Sequence, residues 1–224
     1  MARRGSPFFY RLIRCALSII YRLCFRFEVF GSERVPREPD ARGVILAPNH
    51  SSFLDPPILG ISLQRPVTYL AKEYLFGTIF VGWVLRSIGA FPIKTRTDDF
   101  RTIRKLVRIL KEGRCVVIFP EGTRSLDGEF REPESGVGFL AAKSKAWVVP
   151  VYIEGTFEAF PKGKNFFKYH PIRVYYGSPF IPDADHATLG DSDPYSAISR
   201  RIMKEIENLK QGSAGFRLDR DRRE

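Results

Sequence analysis

Apolar and polar positions follow two rhythms along this chain, and each predicts a different kind of element. Over residues 7–27 almost every position is apolar except the arginines at 11, 14, 22 and 26, which step with Ser18 by three or four. A helix turns by about 100° per residue, so those positions share one narrow face. Phe8, Phe9, Leu12, Ile13, Leu17, Ile19, Ile20, Leu23 and Phe25 cover the rest of its circumference. A wide apolar arc opposite an arginine stripe predicts a helix lying in the plane of a membrane interface. Spanning is disfavoured, because no arginine-free run in the segment exceeds seven residues (15–21), whereas a spanning helix needs about 20 mostly uncharged ones. A secretory signal would carry an uninterrupted apolar stretch and a small-residue cleavage site, and neither is visible. The alternative is an ordinary helix packed on its own domain.

From residue 31 onward, short unbroken apolar runs alternate with amphipathic stretches. Residues 43–47 (GVILA), 89–93, 115–119 (CVVIF), 147–153 (WVVPVYI) and 172–176 predict buried strands. Asp55-Pro56-Pro57 predicts a helix start, with Asp55 as N-cap and proline at the first helical position. Asp98 opens a second helix, ending at Gly113, in which Phe100, Ile103, Leu106, Val107 and Leu110 share a face. Asp193-Pro194 opens a last helix that runs to about Lys210. Residues 74–88 are apolar, but they contain Gly77, Gly82 and Arg86 and are too short to span. Strands alternating with helices predict an α/β fold around a largely parallel sheet flanked by helices. A chain of 224 residues suits one full core. The expected organisation is an interfacial membrane anchor over 1–30, one domain over 31–211 and a charged, disordered tail over 212–224.

Charge narrows the choice of partner. The formal net charge is +11 and the sequence pI about 9.8, so the preferred partner surface is anionic. Nucleic acid, anionic lipid headgroups and phosphorylated substrates all meet that demand. Residues 1–30 hold six arginines against one acid, and bulky aliphatics stand between them, which a nucleic-acid binder does not need. With no RNP, KH, helix-turn-helix or zinc-finger pattern, nucleic acid is not expected as a partner. Cys15, Cys24 and Cys115 form no CxxC pair and no even-numbered disulfide framework. Cys115 begins an apolar run and reads as a small buried hydrophobe. Histidine and cysteine never cluster at ligand spacing, so no metal site is expected.

Two polar loops carry the candidate chemistry, each directly after a predicted buried strand, where open α/β sheets bind ligands. In NHSSFLD (49–55), His50 is followed five residues later by Asp55. Neutral imidazole is well matched to removing a proton from a hydroxyl near neutral pH. Its second nitrogen needs an acceptor that fixes the tautomer and stabilises the imidazolium, which Asp55 offers. The spacing permits that contact without requiring it, and a capping aspartate beside an incidental histidine is the alternative. In FPEGTRS (119–125), Gly122 permits close approach of a ligand to backbone, Thr123 and Ser125 add hydroxyls, and Arg124 adds a planar donor fork suited to phosphate. Here a mere Pro-Glu-Gly turn is the alternative. No Gly-x-Ser-x-Gly elbow exists, and Ser51 and Ser52 have no second histidine to activate them. His170 and His186 lie near prolines in loop-like stretches and are expected to be solvated.

NHSSFLD, GAFPI (89–93), FPEGTRS and VVPV (148–151) occur in the order and spacing of the glycerolipid acyltransferase family. Over roughly residues 31–180 the chain most resembles its bacterial 1-acylglycerol-3-phosphate acyltransferases. The resemblance implies that His50 is the general base and Asp55 its orienting partner. It places Glu121, Gly122, Thr123 and Arg124 in the block that binds the glycerol phosphate, and Lys72 at a basic position that neutralises the phosphate. Pro150 falls in the fourth block, linked to acyl-donor or structural duties. One position departs from the pattern: the arginine expected two residues after Ile93 is Thr95, flanked by Lys94 and Arg96. Either Arg96 or Lys94 takes over that contact through a small shift, or the contact is lost; Arg96 is the candidate substrate-binding residue.

The implied reaction moves an acyl group from acyl-CoA or acyl carrier protein to the sn-2 hydroxyl of 1-acylglycerol 3-phosphate (lysophosphatidic acid). It gives phosphatidic acid for phospholipid biosynthesis. No cofactor is implied beyond the thioester co-substrate. The implied location is monotopic, on the cytoplasmic face of the inner (plasma) membrane. The alternatives are an enzyme acting on glycerol 3-phosphate or another lysolipid, and a catalytically inactive membrane-binding relative.

Overall fold

The strands form where the apolar runs lie, and their pairing brings two of the polar loops side by side. The computed structural model describes residues 7–37, 42–79, 82, 85–86, 90–93, 100–164, 166–182 and 193–221. Its strands are β1 (Glu28–Phe30), β2 (Val44–Pro48), β3 (Val67–Thr68), β4 (Leu70–Lys72), β5 (Phe91–Ile93), β6 (Cys115–Val117), β7 (Trp147–Glu154) and β8 (Arg173–Tyr176). Its helices are α1 (Pro7–Phe25), α2 (Asp55–Ser62), α3 (Phe100–Lys111), α4 (Ser135–Ser144), α5 (Thr156–Ala159) and α6 (Pro194–Asp221). Six strands make one sheet in the order β1-β8-β7-β2-β6-β3, and β4 pairs with β5 separately. Every pair is parallel except β7 with β8. The expected α/β class with a largely parallel sheet is what forms.

Both sheet faces are covered, which is why the strands read as continuous apolar runs rather than alternating ones. Val44 and Leu46 of β2, Val149, Val151 and Ile153 of β7, and Val174 and Tyr176 of β8 face one layer, with Tyr21, Phe25, Ile58 and Leu59. Ile45, Ala47, Val148, Tyr152 and Tyr175 face the other, with Leu106, Leu110, Leu140, Ala141, Ile202 and Ile206. Cys115 is fully inside, and burial pushes its thiol up to about 12, as befits a packing residue. Helix α4 (SGVGFLAAKS) gave no periodic signal because it is mostly buried. Its Gly138 lies so near the Tyr195 carbonyl of α6 that a Cβ would overlap it, and its amide donates to Ser199 Oγ at 3.0 Å.

Three expectations change. Asp55 is not an N-cap: α2 begins at Asp55 itself, after Leu54, with prolines in its first turn. Pro57 has no amide for a cap at Asp55 to hold, so the carboxylate turns back to the preceding loop. The last helix does not stop near Lys210, and the tail is not disordered through its described part. α6 continues to Asp221 because Leu209 and Ser213 are buried and the Phe216 ring meets Tyr175 at 5.6 Å. Those three positions recur at helical spacing and keep the extension on the domain. Finally, the apolar arc of α1 is divided. Tyr21 and Phe25 are core residues, Leu17 and Cys24 pack beside them, and Arg14 Nη1 donates to the Leu63 carbonyl at 2.8 Å. Leu12, Ile19, Ile20 and Leu23 face outward, Leu23 being 77% exposed. Among the described residues no helix is long and apolar enough to cross a membrane.

Candidate functional site

Strands β7, β2 and β6 lie side by side and parallel, so their C-terminal ends open at one edge. The loop after β2 carries His50, and the loop after β6 carries residues 119–125. Asn49 anchors the first loop to β7: its Nδ2 donates to the Ile153 carbonyl at 3.1 Å, and its Oδ1 accepts from the Ile153 amide at 2.7 Å. The His50 amide donates to Glu121 Oε1 at 2.8 Å, and the His50 carbonyl accepts from the Ser125 amide at 2.8 Å. Both faces of the His50 backbone are therefore tied to the second loop.

The side chain of His50 is fixed as firmly. Its Nδ1 lies 2.8 Å from Asp55 Oδ2, and its ring stacks on Phe119 with centroids 3.8 Å apart. Oδ2 also accepts the Ser51 and Ser52 amides, each at 2.8 Å. Asp55 is completely buried, and these donors take the place of the water its carboxylate has lost. A carboxylate acceptor on Nδ1 places the proton there and leaves Nε2 as the basic nitrogen. The Tyr21 hydroxyl donates to the Leu54 carbonyl at 3.4 Å, and burial, then the charge of Asp55, raises its pKa. Helix α1 thus buttresses the loop.

Glu121 ties the two loops together. Its two oxygens accept the amides of His50 and of Arg131, the latter at 3.1 Å, so the carboxylate holds the loops in register. Burial pushes it up to about 7; the two amide bonds oppose that, and the charge of Asp55 adds to it. Gly122 sits at φ +65°, where only glycine is unstrained, and a Cβ would stand 3.0 Å from Glu134 Cγ. Thr123 lines a polar groove of about 560 Å³ with Glu121, Asp127, Arg131 and Glu134, and His50 is not among its walls. Arg124 stacks its guanidinium on the Phe53 ring at 3.5 Å. Its Nη1 is buried and has no hydrogen-bond partner among the described residues. Burial lowers its pKa, against the opposing charges of Asp55 and Tyr74. Its guanidinium thus lies against the loop that carries His50.

The structure therefore brings His50, Asp55, Glu121, Gly122 and Arg124 together. Lys72 is the last residue of β4, and its side chain lies outside the described residues, as do Lys94, Thr95, Arg96 and His186. His170 is half-buried rather than solvated, with Nδ1 3.1 Å from the Pro171 carbonyl. Sequence reasoning missed three supports: the Asn49 clamp, the Phe119 stack and the Phe53 platform under Arg124. Each lies inside a quoted motif, but its partner (Ile153, His50 and Arg124 respectively) comes from a different segment of the chain.

A family model described as "Acyltransferase" matches residues 26–154. The chain is 30% identical over 202 residues to a 1-acyl-sn-glycerol-3-phosphate acyltransferase of Bacillus subtilis, covering 90% of this chain and 96% of that protein. It is also 30% identical over 203 residues to a lyso-ornithine lipid O-acyltransferase of Pseudomonas aeruginosa, covering 89% of this chain and 67% of that one. Among solved structures it is similar to the 1-acyl-sn-glycerophosphate acyltransferase of Thermotoga maritima, with a TM-score of 0.71 and 26% identity. That match covers 90% of this chain and 79% of the other.

Proposed function

The chain belongs to the acyltransferase family, and from that membership we propose that it acylates the sn-2 hydroxyl of 1-acylglycerol 3-phosphate, forming phosphatidic acid. The observation that carries this reading is the fixed imidazole of His50, held by a buried Asp55 at 2.8 Å with Nε2 left for an acceptor hydroxyl. In the proposed reaction Nε2 takes the hydroxyl proton while the oxygen attacks the carbonyl carbon of a thioester. The C–S bond breaks, and the leaving thiolate recovers the proton from the imidazolium. Asp55 holds the ring and offsets its transient charge. The general-base step is worth about 10²–10⁴-fold. A thiolate leaves readily, so transfer runs directly in a ternary complex with acyl-CoA or acyl carrier protein as co-substrate.

Arg124 is the proposed phosphate ligand, supported by its unpartnered Nη1 and its place beside the His50 loop. Lys72 and Arg96 are proposed to add positive charge to the same phosphate. The outward stripe Leu12, Ile19, Ile20 and Leu23 of α1 is proposed to rest in one leaflet, which brings the pocket to insoluble substrates. A second reading, transfer to another lysolipid, is favoured by the similarity to the lyso-ornithine lipid enzyme. Both readings are tested by assaying the purified protein with 1-acylglycerol 3-phosphate, glycerol 3-phosphate and lyso-ornithine lipid, each with acyl-CoA and acyl carrier protein. Turnover highest on 1-acylglycerol 3-phosphate supports the first reading. Preference for an acceptor without a phosphate replaces it with the second.

A further inference from the structure

Between α5 and β8 the chain makes an excursion, described over residues 160–164 and 166–172, that the proposed chemistry does not use. Phe166 is 85% exposed, and Phe167 and Tyr169 are each 63% exposed. Lys162, Lys164 and Lys168 are exposed beside them, and no acidic residue occurs from 159 to 172. Connecting segments are usually polar, so three bare aromatic rings on one loop call for a partner. Aromatic rings with a polar edge or a nearby cation suit the boundary between headgroups and acyl chains.

The loop's position agrees. The Phe167 ring meets Phe25 of α1 at 5.8 Å, and the Ile172 amide donates to the Phe25 carbonyl at 2.9 Å. Its aromatic tip therefore adjoins the helix that carries the outward apolar stripe. Its root is joined to the catalytic loop: Ser52 Oγ donates to the Phe160 carbonyl at 2.7 Å, Ser52 pairs with Pro161, and the Phe53 ring meets Phe160 at 6.4 Å. Ser52 is the residue whose amide helps to hold Asp55.

We propose that this loop is a second lipid-binding element, whose Phe166, Phe167 and Tyr169 insert into an anionic leaflet while its lysines pair with lipid phosphates. Insertion there sets the depth of the His50 loop relative to the membrane, through bonds α1 does not make. The proposal rests on the reading that the enzyme acts at a lipid surface.

The test is flotation of the full-length protein with vesicles of phosphatidylglycerol and phosphatidylcholine, or of phosphatidylcholine alone. Phe166→Ser with Tyr169→Ser should weaken partitioning to both vesicle types about tenfold. Lys162→Gln with Lys164→Gln and Lys168→Gln should weaken it only on anionic vesicles, by about fivefold per lysine at low salt. Both variants should keep wild-type turnover on acceptor dispersed in detergent, where no bilayer has to be reached. Wild-type flotation of the Phe166/Tyr169 variant overturns the proposal, and so does its loss of turnover in detergent, which would assign the loop to the fold or to a protein partner. If the wild-type protein acylates no lysolipid yet the variants lose flotation as described, the loop stands and the enzymatic reading falls.

Discussion

Replacing Asp55 by asparagine isolates the electrostatic part of the site from its architecture. Oδ2 accepts the Ser51 and Ser52 amides as well as His50 Nδ1, each at 2.8 Å. An amide oxygen in its place keeps the two backbone bonds. The new NH₂ takes the position of Oδ1, which is buried and without a hydrogen-bond partner among the described residues, and leaving it unsatisfied costs about 1–3 kcal/mol of stability. The larger loss falls on the transition state. When His50 takes a proton, the imidazolium faces the carboxylate across the 2.8 Å contact of Nδ1 with Oδ2, and unit charges about 4 Å apart attract by about 4 kcal/mol at an effective dielectric of 20. That corresponds to about 10³-fold in rate. Initial rates at varied acceptor should therefore give kcat lower by about 10²–10³-fold with KM little changed. Thermal unfolding should verify a folded protein. A kcat within fivefold of wild type would refute the role of the carboxylate. Alanine is the less informative change, because it strands three donors and unfolds the loop.

Arg124→Ala should raise KM for phosphorylated acceptors by about tenfold or more, and equal damage with an acceptor lacking phosphate would remove Arg124 from phosphate binding. Glu121, held near 7 by burial, binds a proton in the folded state that the unfolded chain releases near pH 4.5. Between those values stability should fall as pH rises, and Glu121→Gln should flatten the pH dependence of the urea midpoint. Ile19→Ser with Leu23→Ser should release the protein from vesicles while leaving it folded; deletion of residues 1–27 cannot make this test, because Tyr21 and Phe25 are core residues.

The strands after β1 were legible where they are long and covered on both faces, since burial writes an unbroken apolar run such as VILAP or WVVPVYIE. β1, β3 and β4 are two or three residues long and, unlike the equally short β5 and β6, each includes a polar residue (Glu28, Thr68, Lys72) that breaks the apolar run; their partners supply the pairing. His50 and Asp55 were legible because they are five positions apart at a strand-to-helix turn. The bonds that fix them were not, since Asn49 reaches across 104 positions to Ile153, and the His50 amide across 71 to Glu121. The extension of α6 was hidden because Gly212 and Gly215, which read as breakers, face open space, while Phe216 finds its partner on β8.

The most direct measurement is phosphatidic acid formed by the purified protein from 1-acylglycerol 3-phosphate and an acyl thioester, followed together with release of free thiol, for wild type and His50→Ala. The proposed mechanism predicts equal amounts of thiol and phosphatidic acid from wild type. His50→Ala should lose at least 10²-fold of the rate, with vesicle binding and thermal unfolding unchanged. Near wild-type product formation by His50→Ala, or no phosphatidic acid from the wild-type protein, would contradict it.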